Sequence, residues 1–342
     1  MATPATTGSY DEALERFHRT GPEFDGYLSN HGPMVIEALS RRGRSAVVHR
    51  WTDRYLQRLD EPPLATWAIG DDWRGALGDP TRAGDWIAFF TREVAQAPWL
   101  DVLGVWWPRL LPGIAAGAPH GVIRVGHAVR GVREVETAPR VVELAHALAY
   151  WAARWQALPI VHPTGSARAS ALLAAVPRVA VQTGGIRKRL TQLGDTTGWD
   201  THAARLAAPT SAVEVPAALD APVDATVEAY PIWAHGGPTT LVHAATAPNA
   251  VAAVLPSLPP TLWLGSFDAA WSATAAVFAA YRPAAPRPVH TDTGTPEDVL
   301  DRALAHGGEH VIKLTDTALD SHGRTRSPAA LTATPTAIDL DA

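Results

Sequence analysis

Apolar residues recur at helical intervals along most of the chain. Between His120 and Val135, valines stand at positions 122, 125, 129 and 132, so that one face of a helix is apolar. Similar spacing predicts further helices at Asp11–Arg19, Met34–Leu39, Ser45–Leu59, Asp85–Gln96, Pro139–Trp155, Thr239–Leu255, Thr261–Tyr281 and Glu309–Leu319. Convincing strand alternation and the strand–helix–strand rhythm of α/β folds are both missing. The pattern therefore predicts an all-α fold.

Residues that start and interrupt helices sharpen this prediction. Asn30 is expected to cap a helix with Pro33 in its first turn, and Thr295 to cap a helix that starts at Pro296. The stretch Trp99–Ala118 is apolar, but its internal charges and prolines predict a broken, buried helix rather than a membrane span.

The domain organisation follows from the same pattern. We expect one large helical domain from residue 9 to residue 325, with functional side chains contributed by separate helices. The Ala/Pro-rich residues 207–223 are expected to form a surface crossover within it. Residues 326–342 are predicted to be a flexible C-terminal tail.

The composition excludes several classes of protein. The 342 residues include no cysteine, which excludes a disulfide scaffold, a thiolate zinc site and an iron–sulfur cluster. The formal net charge of -5 provides no basic footprint for nucleic acid. No targeting segment or membrane span is visible, so we expect a cytoplasmic protein. A Gly-rich phosphate loop and a Gly-x-Ser-x-Gly nucleophile motif are also absent.

Fourteen histidines are the main chemical resource. The candidates for a helical metal site are His31, His120, His127, His243 and His310. His120 and His127 are seven positions apart on one helix face, and His310 precedes Lys313 by three positions on another. Buried histidines are often hydrogen-bonded core residues, so spacing alone leaves both interpretations open. The remaining histidines are expected to be surface or structural: His18, His49, His146, His162, His202, His235, His290, His306 and His322.

Four segments carry a more specific signal when taken together. They are Phe24–Leu39 (FDGYLSNHGPMVIEAL), Pro119–Ala128 (PHGVIRVGHA), Leu241–Ala250 (LVHAATAPNA) and Gly308–Thr315 (GEHVIKLT). These segments resemble the motifs of the questin oxidase-like family, occur in the family order and span nearly the whole chain.

The resemblance implies an all-α enzyme with a metal site between helices. Members of the family are non-heme iron oxygenases that use dioxygen to cleave a C–C bond in the ring of an anthraquinone- or hydroquinone-type aromatic polyketide, with a Baeyer–Villiger-like or dioxygenase outcome. Carried over position by position, the Fe(II) ligands would be His31, His120, His243, His310 and a carboxylated Lys313. Fungal members usually have an aromatic residue where this chain has His127. We expect His127 to be catalytic, either as a base or in orienting bound oxygen.

Chemistry explains why a lysine would serve in such a ligand set. Burial among Val311, Ile312 and Leu314 favours the neutral amine, which adds carbon dioxide to give a carbamate, an anionic oxygen donor. Arginine cannot react in this way because its guanidinium stays charged. Only Lys188 and Lys313 are lysines among the 29 basic Lys and Arg residues.

Three other functions compete with the oxygenase. A non-catalytic helical protein that binds aromatic ligands would keep the fold without the chemistry, but all five implied ligands are present. A carbamate-bridged hydrolase usually needs two metals and a barrel of strands, and the sequence pattern predicts no such strands. A flavin-dependent Baeyer–Villiger enzyme needs a dinucleotide-binding fingerprint, which is also absent.

Overall fold

The computed structural model describes residues 4–289 and 293–342, so His290 lies outside the described residues. The described residues contain sixteen α-helices: α1 Pro4–Phe17, α2 Gly32–Arg41, α3 Val48–Leu56, α4 Ala83–Gln96, α5 Trp99–Leu110, α6 His120–Glu134, α7 Ala138–Ala153, α8 Ala169–Ala175, α9 Ile186–Leu190, α10 Trp199–Ala203, α11 Val215–Trp233, α12 Pro238–Val254, α13 Trp263–Tyr281, α14 Pro296–His306, α15 Glu309–Thr325 and α16 Ala333–Asp339. The prediction of an all-α fold is confirmed.

The strands in the described residues form one small hairpin. Residues Glu23–Phe24 (β1) pair antiparallel with Leu28–Ser29 (β2). Three residues, Asp25, Gly26 and Tyr27, connect the strands, and the first two have positive φ angles of 48° and 81°. The hairpin places Ser29 just ahead of α2.

Helix α11 occupies much of the segment expected to be a surface crossover, so that expectation is wrong from Val215 onward. Helix α11 has two internal prolines, Pro222 and Pro231, each of which costs about 3 kcal/mol of helix stability. However, the apolar side chains of Leu219, Val223, Val227 and Tyr230 are buried on one face. Burial stabilises by about 1.5–3 kcal/mol per side chain, which offsets the prolines.

The predicted flexible tail, residues 326–342, is also wrong. Residues Pro328–Thr332 form a 3₁₀ helix that leads directly into α16. Ala330, Ala333 and Ala337 are buried at helical spacing, and Thr334 forms a hydrogen bond of 2.8 Å with Thr315 of α15. Small side chains let this segment pack closely, so its low hydrophobicity did not prevent ordering.

The chain divides into two compact units, which differs from the single domain expected over residues 9–325. The first unit runs to Ala157 and includes Pro256–Leu258, and the second comprises Leu158–Leu255 and Pro259–Ala342. The division falls in the loop after α7, which contains Pro159 and Pro163.

In the first unit, α7 packs against both α4 and α6, and α2 packs against α6. An aromatic cluster fills the region where α4 meets α5. Its members are Trp86, Phe89, Phe90 and Trp106, with ring centroids 4.9–5.7 Å apart. Helix α5 ends at Leu110 and a 3₁₀ turn follows, as predicted for a broken, buried helix.

In the second unit, α12 packs against α11, α13 and α15, while α15 also contacts α14 and α16. Buried alanines line α12 and α13, including Ala244, Ala245, Ala269 and Ala276. Short side chains permit close helix packing, so α12 and α15 are held at the centre of this unit. Separately, no helix among the described residues has the length and apolar character needed to cross a membrane.

Candidate metal centre

His31 stands at the start of α2, where it is the N-cap residue in place of the predicted Asn30. Its backbone N–H donates to the Tyr55 hydroxyl at 2.9 Å. The Asn30 side chain instead accepts from the Gly32 N–H at 2.9 Å. The ring of Phe17 occupies the space that a Cβ at Gly32 would need. These contacts fix the backbone that carries the His31 imidazole.

His120 is the first residue of α6, and its proton can be assigned from its neighbours. Its Nδ1 contacts the carbonyl oxygen of Gly117 and lies 3.0 Å from the Ser29 hydroxyl. Because a carbonyl only accepts hydrogen bonds, Nδ1 carries the proton and Nε2 carries the lone pair. Gly121 brings this turn close to α7, since a Cβ there would lie 2.7–2.9 Å from Trp151.

The two imidazoles of the first unit face each other. His31 Nε2 lies 2.8 Å from His120 Nε2, and the rings are perpendicular. With metal–imidazole bonds of about 2.1 Å, two ligands at 90° would place their nitrogens about 3.0 Å apart, and tetrahedral ligands about 3.4 Å apart. The observed separation of 2.8 Å is close to the first value, and it is also that of a hydrogen bond between the two rings.

His243 lies on α12 in the second unit, and the next residue, Ala244, has a carbonyl that lacks its usual helical donor. Pro248 has no N–H, so the Ala244 carbonyl four residues earlier has no helical partner. The Thr274 hydroxyl of α13 donates to that carbonyl at 3.1 Å. Helix α12 therefore continues past Pro248, with His243 buried one residue before the bridged carbonyl.

His310 and Lys313 lie on α15, which begins anew after Gly307 ends α14 with a φ of 78°. The His310 ring lies 5.2 Å from the His243 ring between centroids. Lys313 is 1% exposed, and its Nζ has no hydrogen-bond partner among the described residues. Burial lowers the pKa of Lys313 to about 7, against the opposing effect of Glu309. A substantial fraction of the amine is therefore neutral at pH 7.

The sequence-predicted residues thus fall into two groups. His31, His120 and His127 belong to the first unit, and His243, His310 and Lys313 to the second; all are buried. His127 faces a different partner from His120, because its Nδ1 lies 2.6 Å from Oε2 of Glu37. Glu37 was not predicted, since a single acid in an apolar helix gives no signal of its own.

A second buried polar network braces α6 against α7. Arg124 donates twice to Glu143, at 2.6 and 2.9 Å, and His18 Nε2 lies 3.2 Å from the same carboxylate. Although burial alone raises the pKa of Glu143, Arg124 and His18 lower it to about 2. Burial lowers the pKa of His146, which contacts His18, to about 3. His18 therefore links the Glu143 carboxylate to the His146 ring.

The chain was also compared with known proteins. No protein-family model matches it, and no curated protein matches it significantly. The functional assignment accordingly depends on the site itself and on the motif resemblance.

Proposed function

We propose that this protein is a non-heme iron-dependent oxygenase that uses dioxygen to cleave a C–C bond in an anthraquinone- or hydroquinone-type aromatic ring. The observation that carries the proposal is a set of four buried histidines. Among the described residues, one group of His, Asp or Glu side chains could hold a metal ion together, and it consists of His31, His120, His243 and His310.

The donor chemistry of this group suits ferrous iron. Neutral imidazole nitrogens bind late first-row divalent metals, including Fe(II), whereas Mg²⁺ and Ca²⁺ prefer oxygen donors. The tautomer of His120, with its proton on Nδ1, leaves Nε2 able to bind. The contacts of Nδ1 with Gly117 and Ser29 would orient this ligand, as partners of metal-bound histidines generally do.

Lys313 supports the further proposal of a carbamate ligand. Its neutral amine would attack carbon dioxide, so that an N–C bond forms and one proton leaves to solvent. The product is an anionic oxygen donor that reaches farther from the helix than an aspartate. A buried amine without a hydrogen-bond partner is costly, and conversion to a metal-bound carbamate would remove that cost.

Ferrous iron, when bound, would supply the position at which dioxygen is activated. The role of the surrounding protein is to hold the aromatic substrate and to take up its phenolic proton, which makes the ring electron-rich. We assign the proton acceptor to His127, which is buried on α6 two turns after His120. The substrate is a small molecule, and a cytoplasmic location is part of the proposal.

The proposal is tested by turnover. Protein reconstituted with Fe(II) under anaerobic conditions is mixed with a panel of hydroxyanthraquinones and their hydroquinones, and dioxygen is then admitted. We expect iron-dependent oxygen consumption and a product that contains added oxygen and an opened ring, and we expect both to disappear in His243→Ala. His162→Ala is the matched control, because His162 is an exposed histidine of the same unit.

Two results would contradict the proposal. Saturable binding of quinones without oxygen consumption would instead support a helical binding protein for aromatic ligands. Equal oxygen consumption by the parent protein and His243→Ala would show that the reaction does not use this histidine group.

A further inference from the structure

Helices α2 and α6 are linked by side-chain contacts at two levels along their length. The first level is the His31–His120 contact. The second lies six residues later on α2 and seven residues later on α6, where Glu37 contacts His127. Because both contacts advance in the same chain direction, the helices run parallel. At 1.5 Å per residue, the second level lies about 10 Å along the helices from the first.

Glu37 accepts two short hydrogen bonds with one oxygen. His127 Nδ1 and Arg130 Nη2 each lie 2.6 Å from Glu37 Oε2. Glu37 and His127 are buried, and Arg130 is mostly buried. The guanidinium of Arg130 balances the charge of the carboxylate, so that a buried charge at Glu37 is paired.

These distances determine which nitrogen of His127 carries the proton. A carboxylate has no proton to donate, so a separation of 2.6 Å requires N–H at Nδ1. Arg130 Nη2 also lies 2.9 Å from His127 Nδ1, but this nitrogen cannot both donate to Glu37 and accept from Arg130. In the neutral imidazole, the carboxylate therefore keeps the lone pair of His127 on Nε2.

We propose that Glu37 is a positioning residue that holds His127 as a proton acceptor at Nε2 for a phenolic substrate. The proposal rests on the proposed oxygenase function. In the step concerned, the phenol O–H bond breaks, its electron pair stays on oxygen as phenolate, and the proton forms an N–H bond at Nε2. The resulting imidazolium is stabilised by its hydrogen bond to Glu37, and no oxidant or reductant is consumed.

Removal of Glu37 has a directional consequence. In Glu37→Ala, Arg130 Nη2 still lies 2.9 Å from His127 Nδ1, and a guanidinium can only donate. The proton should then move to Nε2, which can no longer act as a base. In Glu37→Gln, the side-chain amide can either donate or accept, so both tautomers should be populated.

The experiment is ¹⁵N NMR of protein labelled at the histidine ring nitrogens, with the His127 signals assigned by their loss in His127→Phe. We expect the Nδ1–H tautomer in the parent, its inversion to Nε2–H in Glu37→Ala and a mixture in Glu37→Gln. Glu134→Ala, which removes a half-exposed carboxylate from the same helix, should leave the tautomer unchanged. An unchanged tautomer in both Glu37 variants would overturn the proposal.

The second arm of the test measures the turnover of a hydroxyanthraquinone by the parent and the Glu37 variants. General bases contribute roughly 10²–10⁴-fold to rate, so kcat of Glu37→Ala should fall at least tenfold while KM and iron content stay near those of the parent. An inverted tautomer with unchanged kcat would overturn the base role of His127. A parent protein that binds no iron would instead overturn the proposed oxygenase, and the tautomer arm can still be read in that protein.

Discussion

Lys313→Met probes the most unusual feature of the second unit, a buried amine without a hydrogen-bond partner. Methionine has a similar length and no charge, so it removes the titration while filling the same space. In metal-free protein without carbon dioxide, we expect Lys313→Met to be more stable than the parent at pH 7. The exposed Lys188 is the other lysine of the chain, and Lys188→Met is the matched control.

The magnitude follows from the two pKa values of Lys313. Its ordinary value is 10.5, and burial lowers the pKa in the folded protein to about 7. Between these values the unfolded chain binds more protons than the folded protein, so stability rises with pH. At about 1.4 kcal/mol per pKa unit, the amine costs the folded state roughly 4 kcal/mol at pH 7 and roughly 2 kcal/mol at pH 9.

The assay is urea unfolding of both proteins at pH 7 and pH 9, with a chelator and degassed buffers. The parent should gain roughly 2 kcal/mol relative to Lys313→Met between these pH values. This double difference cancels any packing change that methionine introduces. Added bicarbonate should then stabilise the parent and leave Lys313→Met unchanged. A stability difference that does not vary with pH would refute the buried neutral amine.

Three further changes test how the helices of the site are held. Arg124→Met removes the guanidinium from the buried Glu143 carboxylate and should cost about 3–5 kcal/mol in urea unfolding; a loss below 1 kcal/mol would contradict the buried pair. In the parent protein, the lowered pKa of Glu143, about 2 against an ordinary 4.5, contributes stability above pH 4.5 that is lost as the pH falls towards 2. Acid titration of unfolding should show that loss and should show less of it in Arg124→Met. Thr274→Val removes the donor to the Ala244 carbonyl and should cost about 1–3 kcal/mol, whereas Thr274→Ser should keep most of the stability; equal losses would exclude the hydrogen bond as the cause. Gly121→Ala forces a Cβ into α7 and should lower Tm and iron content together, and an unchanged Tm would show that the close approach is not needed.

Local features of the site could be predicted because they depend on short sequence spacing. His310 and Lys313 share a face of α15 as the three-residue interval requires, and Thr295 forms the predicted cap of α14. The contact between His31 and His120 could not be predicted from spacing, because these residues are 89 positions apart and meet only through the packing of α2 on α6.

Glu37 shows why some functional residues escape sequence reasoning. Charged residues on a helix are usually exposed, so a single glutamate among Val35, Ile36 and Leu39 predicts nothing about a partner. Its burial becomes favourable only where α6 brings His127 and Arg130 to the same carboxylate oxygen. The burial of Glu37 therefore follows from the partners that the fold provides and not from its own position in the sequence.

The errors in the fold have a common physical cause. Alanine and proline made residues 207–223 and 326–342 resemble linkers, yet α11 and α16 form there. In both helices, small or apolar side chains at helical spacing are buried against neighbouring helices. Tertiary burial of that kind outweighs the local cost of proline, and a composition-based prediction does not include it.

Metal analysis tests the central claim most directly. The parent protein, purified without a histidine tag or chelator, should contain about one iron per chain after anaerobic reconstitution. The variants His120→Ala and His243→Ala and the control His162→Ala are purified and reconstituted in the same way. We predict loss of iron in the first two variants and retention in the control. Full iron content in either His120→Ala or His243→Ala, or no iron in the parent, would contradict the proposal that the four histidines hold a metal ion.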